Sequence, residues 1–488
     1  MLTTKRSAII IFDYHRKRHL SRQHEKETGK IMVKEEKKTK SYEMDMCNGP
    51  IMVKLLIFAL PVMLSGVLQL LFNAADIVVV GQYAGSDSLA AVGSTGSLVN
   101  LLTNIFIGLS VGTNVLVARH YGANKKKDVE ETVHTAVLTS VISGLVLIVI
   151  GVVLAEPLLV LMGSPENVIG KSVLYLRIYF LGMPAVMLYN FGSAILRAVG
   201  DTRRPLYFLT IAGVVNVLLN LFFVIVLHMD VAGVAAATAI SQCVSAALIV
   251  RCLIKETGVC HLDLKKLAIK KDKLLEIFRV GLPAGMQGAI FSLSNVVIQS
   301  SINSFGSVAM AGNTAGSNIE GFIYIAMNAF YQTSISFTSQ NYGAKKYERI
   351  NKILLGCLFY VTVVGAVFGN LAYLFGNKLL RIYSPDAEVI QYGLLRMSII
   401  ATTYFLCGIM DTMVGSIRGL GYAIMPMIVS LLGACGLRML WIFTVFASHR
   451  FLQVLYISYP ISWTVTAAAH IICFLVVRRK LSKQTAAC

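Results

Sequence analysis

Three polar residues on one apolar stretch, Gln69, Asn73 and Asp76, fall at i, i+4 and i+7, on one face of a helix. A carboxylate with two amides beside it can hold a proton or a sodium ion. The structural alternative is a cluster of hydrogen bonds between helices. A second set, Asn313, Ser317, Glu320 and Tyr324, follows one face of another apolar stretch. Asp411 and Arg438 stand singly in two more. An ionised side chain at the centre of a membrane helix costs about 2.5–3.5 kcal/mol on insertion scales. Arg438 therefore needs a partner, and by depth Glu320 is the first candidate and Asp411 the second. Glu320 and Arg438 could form a structural ion pair. The functional reading is an acid that titrates or meets a cationic substrate, with Asn313 and Tyr324 beside it.

These residues need a frame of membrane spans, and the composition supplies one. Of 488 residues 56% are hydrophobic and only 14% charged, with a mean hydropathy of +0.69. Soluble domains carry about 25% charged residues. A span takes about 20 apolar residues, and twelve stretches qualify: 53–80, 89–117, 131–155, 170–196, 205–227, 231–254, 278–303, 308–338, 350–375, 388–416, 426–447 and 453–477. Asp76 lies 22 residues after Lys54, or about 33 Å along its helix. That places it toward the outer side.

Lys and Arg number 44 against 25 Asp and Glu, a formal charge of +19. The bases gather in alternate loops, among them 118–130, 197–204, 255–279 and 339–352, and at the C-terminus. The intervening loops are poor in them, which is the positive-inside pattern with both termini cytoplasmic. The charge is thus topology rather than a nucleic-acid surface. The nine cysteines show no metal-ligand spacing and read as small apolar residues of helices. No cofactor is expected. Nothing marks a cleavable leader. Residues 1–50 read as a disordered basic tail, in which Met32 and Met44 are further possible starts. Its HRKRH string (His15–His19) could hold a metal or acidic lipid, but a solvated tail suits the composition better.

The chain also repeats itself. Pro61 matches Pro283, Gly85-Ser86 matches Gly306-Ser307, and "YGANKKK" from Tyr121 matches "YGAKKYE" from Tyr342. Arg177 matches Arg396, and "RAVGDTRRP" from Arg197 matches "RGLGYAIMP" from Arg418. The offset stays near 221 throughout, so one six-span unit is duplicated. An even number of spans leaves the two copies parallel. The expected fold is all-α, with a first lobe over 51–256, a cytoplasmic amphipathic linker over 257–277, a second lobe over 278–480 and a tail over 481–488. The apolar residues of the linker alternate with lysines and suit an interfacial helix. The glycines of the two Tyr-Gly-Ala loops are expected to let the chain reverse.

"LPVMLSGVLQLLFNAADIVVVGQYAG", the basic Tyr-Gly-Ala loop, "ILRAVGDTRRP", "VAGVAAATAISQ" and "SIRGLGYAIMP" resemble the MATE family, the multidrug and toxic compound extrusion transporters. The resemblance covers about 51–480. It implies a V-shaped, two-lobed fold of twelve helices in the cell (plasma) membrane. It implies export of small organic cations or similar amphipathic compounds in exchange for protons or sodium ions. It adds Asn216, Asn220 and Thr238 to Asp76 as a coupling-cation site, with a sodium ion at Asp76 as the one possible metal. Some members carry an acid where this chain has Asn220, which leaves proton coupling at least as well favoured as sodium. An acid that others carry on the seventh span is here Phe291. A monomer contacting only lipid and substrate is expected. An exporter of lipid-linked precursors is the alternative, although such a cavity would need several bases for phosphate. A membrane-embedded enzyme is a poorer reading, because no span carries H-E-x-x-H, clustered His or paired carboxylates.

Overall fold

A computed structural model describes residues 42–162 and 165–486. The HRKRH string and the rest of 1–41 lie outside the described residues. The twelve passes run in chain order. The first six are α1 (Ile51–Tyr83), α2 (Ser86–Gly122), α3 (Lys126–Leu161), α4 (Glu166–Leu181 with Met183–Ala198), α5 (Arg203–Leu221, continued by Phe222–Val226) and α6 (Asp230–Lys255). The next six are α7 (Lys271–Asn303), α8 (Ser307–Gly343), α9 (Tyr347–Leu374), α10 (Ala387–Thr403 with Phe405–Gly419), α11 (Ile424–Phe446) and α12 (Leu452–Ala486).

Nine of these helices are long and apolar enough to cross a membrane, and α4 and α10 also qualify as bent pairs. The twelfth, α8, is 37 residues long, the length of its repeat mate α2. It is more polar than the others because so much of it is interior, with Asn313, Glu320, Thr333, Ser334, Ser336, Gln340 and Asn341 all buried.

The duplication extends to irregular geometry. α4 bends by 48° after Leu181 and α10 by 42° after Thr403. A π-helical segment closes α5 at Phe222–Val226, and another closes α11 at Ile442–Phe446. Gly85 and Gly306 both have positive φ, at 85° and 94°, as do Gly200 and Gly421, at 93° and 90°. In the Tyr-Gly-Ala loops the left-handed residues are Asn124 (φ 56°) and Lys345 (φ 57°), not the glycines. Gly122 and Gly343 serve a different end. A Cβ on Gly122 would stand 2.0 Å from the carbonyl oxygen of Gln340, and one on Gly343 would stand 2.0 Å from that of Arg119. Each glycine rests on the backbone of the other repeat.

That contact belongs to a longer seam. α2 and α7 cross at backbone distance, where a Cβ on Gly108 would lie 2.2 Å from Gly285 N and one on Gly112 would lie 2.3 Å from Ile277 O. The seam therefore runs from the basic loops to Asn104, whose Nδ2 donates to Ser292 Oγ at 3.3 Å.

Two segments depart from expectation. Residues 44–50, expected in the disordered tail, are folded. Met46 is fully buried with Leu55 and Phe58 of α1, Phe337 of α8, and Ile353 and Cys357 of α9. Its carbonyl accepts from Asn341 Nδ2 at 3.0 Å, and the carbonyl of Cys47 accepts from Lys346 Nζ at 3.2 Å. The segment satisfies backbone groups on the second lobe, on Lys54 of α1 and on its own Asp45 side chain, and so needs no helix of its own.

The linker is not an amphipathic helix. Between α6 and α7 the chain is irregular apart from one 3-10 turn at Leu264–Lys266, which the Asp263 side chain caps by accepting from Lys265 N. Cys260 and Leu262 are buried against the first lobe, whereas Leu264 and Ile269 are exposed. The Asp263 and Lys270 backbone N–H groups donate to His134 Nε2 and Thr135 Oγ1, both at 3.1 Å. These bonds to α3 replace the ladder a helix would have made.

Candidate functional site

In the first lobe, α1, α5 and α6 bring four polar side chains together. Asp76 is 8% exposed. Its Oδ1 accepts from Asn220 Nδ2 and its Oδ2 from Thr238 Oγ1, the latter at 3.3 Å. Asn216 Nδ2 donates to Thr238 Oγ1 at 3.3 Å, and Asn220 Nδ2 lies 3.3 Å from Asn216 Oδ1. Asn216 and Asn220 are one turn apart on α5, and the π-helical segment begins two residues later. Such segments are frequent at functional sites, because they re-aim side chains and loosen the carbonyl ladder. Asn220 Oδ1 is buried without a donor among the described residues. Asp76 has no Lys, Arg or His partner among the described residues. The set can thus accept a proton on Asp76 or offer oxygens to a small cation.

Gln69 and Asn73 stand outside this network. Both are exposed and make no side-chain hydrogen bond among the described residues. Periodicity placed them on the face of Asp76, but neighbours cover that face only at the height of Asp76. Nearer the middle of α1 the partner is α8, with Ile325 against Gly66.

A cavity of about 580 Å³ opens mainly among the helices of the second lobe, with Asn100 and Asn104 of α2 also on its wall. Asn313, Ser317, Glu320 and Tyr324 of α8 all line it, as do Asp411 and Arg438. Sequence depth paired Arg438 with Glu320 or Asp411, and the structure corrects this. Glu320, 2% exposed, is held by Arg396, whose Nε and Nη2 donate to its two oxygens at 3.2 and 2.7 Å. Arg396 Nη1 donates to Asn313 Oδ1 at 2.6 Å, which also accepts from Tyr456 Oη at 3.3 Å. Arg438 instead donates from Nε to Ser462 Oγ of α12 at 2.8 Å and lies over the rings of Tyr459 (4.1 Å) and Trp463 (5.4 Å). Equal depth is not adjacency. α8 packs against the first half of α10, while Arg438 faces α12.

Arg396 was the missed residue. It is a charge eight residues inside the stretch 388–416, and that signal was spent on marking the repeat. Its mate Arg177 has another fate, an exposed pair with Glu156 at 3.4 Å. Asp411 lines the cavity with no hydrogen-bond or ion-pair partner among the described residues.

The chain resembles known proteins in sequence and in fold. A family model described as MatE matches residues 61–222 and again 283–444, one match in each repeat. A probable multidrug resistance protein of Bacillus subtilis strain 168, YoeA, is 28% identical over 422 residues, covering 84% of this chain and 90% of that protein. An FAD transporter of Shewanella oneidensis is 26% identical over 376 residues, 75% of this chain and 81% of that one. Among solved structures, an outward-facing multidrug resistance MATE transporter superposes with a TM-score of 0.84 at 21% identity, covering 90% of this chain and 98% of that one. A transporter of the same superfamily from Pyrococcus furiosus gives 0.84 at 20% identity with the same coverage. These likenesses fix the fold.

Proposed function

Because the chain belongs to the MatE family of multidrug efflux transporters, we propose that it is a secondary antiporter. It exports small amphipathic compounds, organic cations among them, in exchange for protons or sodium ions. The observation that carries the reading is the buried Asp76 with Asn216, Asn220 and Thr238 around it and, among the described residues, no ion pair to a basic side chain. The matching place in the second repeat is Ile298, which cannot titrate. One lobe therefore carries the coupling acid, and the cavity lined by Glu320, Asp411 and Arg438 lies mainly in the other.

The cycle follows from differential affinity. A proton or cation at Asp76 changes the charge of the first-lobe network and with it the relative stability of the two openings. The exported compound occupies the second lobe and favours the other opening. Neither lobe needs a cofactor. The basic loops support a topology in which the ends of α2 and α8, and both termini, lie on the cytoplasmic side of the cell membrane. The working unit is a monomer of two lobes, 51–256 and 278–480, joined by 257–277.

The deciding experiment uses the purified full chain in sealed vesicles. A fluorescent amphipathic cation should move only when a proton or sodium gradient is imposed, and replacing one ion by the other identifies the driver. Movement that ignores both gradients would sink the antiport reading.

A further inference from the structure

The two Tyr-Gly-Ala loops differ in charge where their sequences otherwise match. At the constant offset of the repeat, Asp128, Glu130 and Glu131 after the first loop become Arg349, Asn351 and Lys352 after the second. Two of those acids hold the linker and the start of α7. Asp128 Oδ1 accepts from Lys273 Nζ at 2.6 Å, and Glu130 Oε1 accepts from Lys266 Nζ at 3.2 Å. The second loop faces the end of α12 instead. Between them lies an open pocket of about 580 Å³, with Lys345, Lys346, Arg349 and Arg478 on its wall against the single acid Glu348. None of the four bases has a carboxylate partner among the described residues. Arg349 spends Nη2 on the Gly49 carbonyl at 3.1 Å, and its Nε is buried without an acceptor among the described residues. Arg478 spends Nε on Asn351 Oδ1 at 3.0 Å, which leaves both terminal nitrogens without a hydrogen bond among the described residues. Lys346 Nζ donates to Cys47 O and Asn48 Oδ1 and has a third proton to give.

We propose that this pocket seats the phosphate headgroup of an anionic phospholipid in the leaflet at the lysine-rich end. The two arginines grip it, because a guanidinium presents paired N–H groups to phosphate oxygens, and the two lysines add charge. What adjoins the pocket favours a lipid over a soluble phosphate. On α12, Ile471, Leu475 and Arg478 fall at i, i+4 and i+7, and both apolar members are exposed. Leu355 and Phe359 are likewise exposed on α9, within three turns of Arg349. A headgroup held by Arg349 and Arg478 thus leaves its acyl chains an apolar surface to lie on. Basic pockets between spans at such a level suit these headgroups. The first loop offers no equivalent, since its bases meet acids of their own. The inference needs only the membrane fold and is independent of what the protein exports.

The test is native mass spectrometry of the full chain released from neutral detergent. The protein is titrated with phosphatidylglycerol or with phosphatidylcholine of the same acyl chains. The first phosphatidylglycerol should bind roughly tenfold more tightly than the first phosphatidylcholine, the size of one charge-assisted contact. Arg349→Gln combined with Arg478→Gln should erase this preference. Lys126→Gln combined with Lys127→Gln removes the same charge from the first loop and should leave it unchanged. Equal loss in both double variants would mean diffuse attraction to a basic face and overturns the proposal. So does a parent protein that shows no preference. Glycerophosphoglycerol, the same headgroup without its chains, should not displace the lipid at equal concentration. Displacement would assign the pocket to a soluble phosphate and overturn the lipid reading. If the arginine variant does not fold, Arg478→Lys replaces it. That change keeps the charge and loses the paired N–H groups, so it should lower the preference, and an unmoved preference counts against the pocket.

Discussion

Arg396 grips Glu320 with two nitrogens, at 3.2 and 2.7 Å, and spends a third on Asn313, which Tyr456 also reaches. All four side chains are buried. This makes the pair a brace between α8 and the first half of α10 beside an open cavity. Breaking a buried ion pair by removing one partner costs about 3–5 kcal/mol, mostly from the charge left behind. Glu320→Gln and Arg396→Met should each lower the thermal unfolding midpoint of the detergent-purified protein. The double variant should be less damaged than the sum of the two. Strict additivity would mean that the groups do not act as a pair.

Asp76→Asn keeps the size and most of the hydrogen bonding of the first-lobe network but removes its only titratable group. The variant should insert and fold at normal level and lose gradient-driven export in vesicles. Undiminished driven export would place the coupling acid elsewhere, with Asp411 the next to examine.

His120, at the end of α2 beyond the apolar stretch, is 8% exposed, and its Nε2 has no partner among the described residues. Burial, and then the nearby Lys273 ammonium, push its imidazole down to about 4 from an ordinary 6.5. The unfolded chain binds that proton first, so the stabilisation is complete above pH 6.5 and drains away as pH falls toward 4. The unfolding midpoint should therefore drop between pH 7 and pH 5. His120→Gln should flatten this part of the profile, and an unchanged slope would show that other groups set it.

Gly343→Ala puts a methyl 2.0 Å from the Arg119 carbonyl, and Gly122→Ala does the same at Gln340. Backbone cannot yield as a side chain can, so the lobes must part at that end. Overpacking of this kind costs roughly 1–3 kcal/mol. Cys47, whose Sγ lies 3.6 Å from Gln340 Oε1, is the reporter. In a background with the other cysteines replaced, its maleimide labelling should quicken severalfold in either variant. Equal rates would mean that the glycines are not what holds this end together.

The repeat was readable because it is one-dimensional: Pro61 and Pro283, or Gly85 and Gly306, need only a constant offset. The convergence of Asp76 with Asn216, Asn220 and Thr238 was reached through resemblance, since nothing local says which helices adjoin. Where only depth was available, as for Arg438, the wrong partner came out, because two residues at one height can face different neighbours. Helical spacing failed for Gln69 and Asn73 for a related reason. It fixes a direction around one axis and is silent on what stands there. The linker misled by its alternating lysines and leucines, since hydrogen bonds to His134 and Thr135 outweighed its pattern.

Met46 has one more consequence. It fills a pocket made jointly by α1 of the first lobe and α8 and α9 of the second. Any motion that parts those helices at the basic end must hydrate Met46 together with Phe58 and Phe337. Fully burying one side chain of this kind is worth about 1.5–3 kcal/mol. The short segment 44–50 thus works as a greased wedge that favours whichever state keeps it covered. Opening at the lysine-rich end therefore carries the cost of uncovering that wedge.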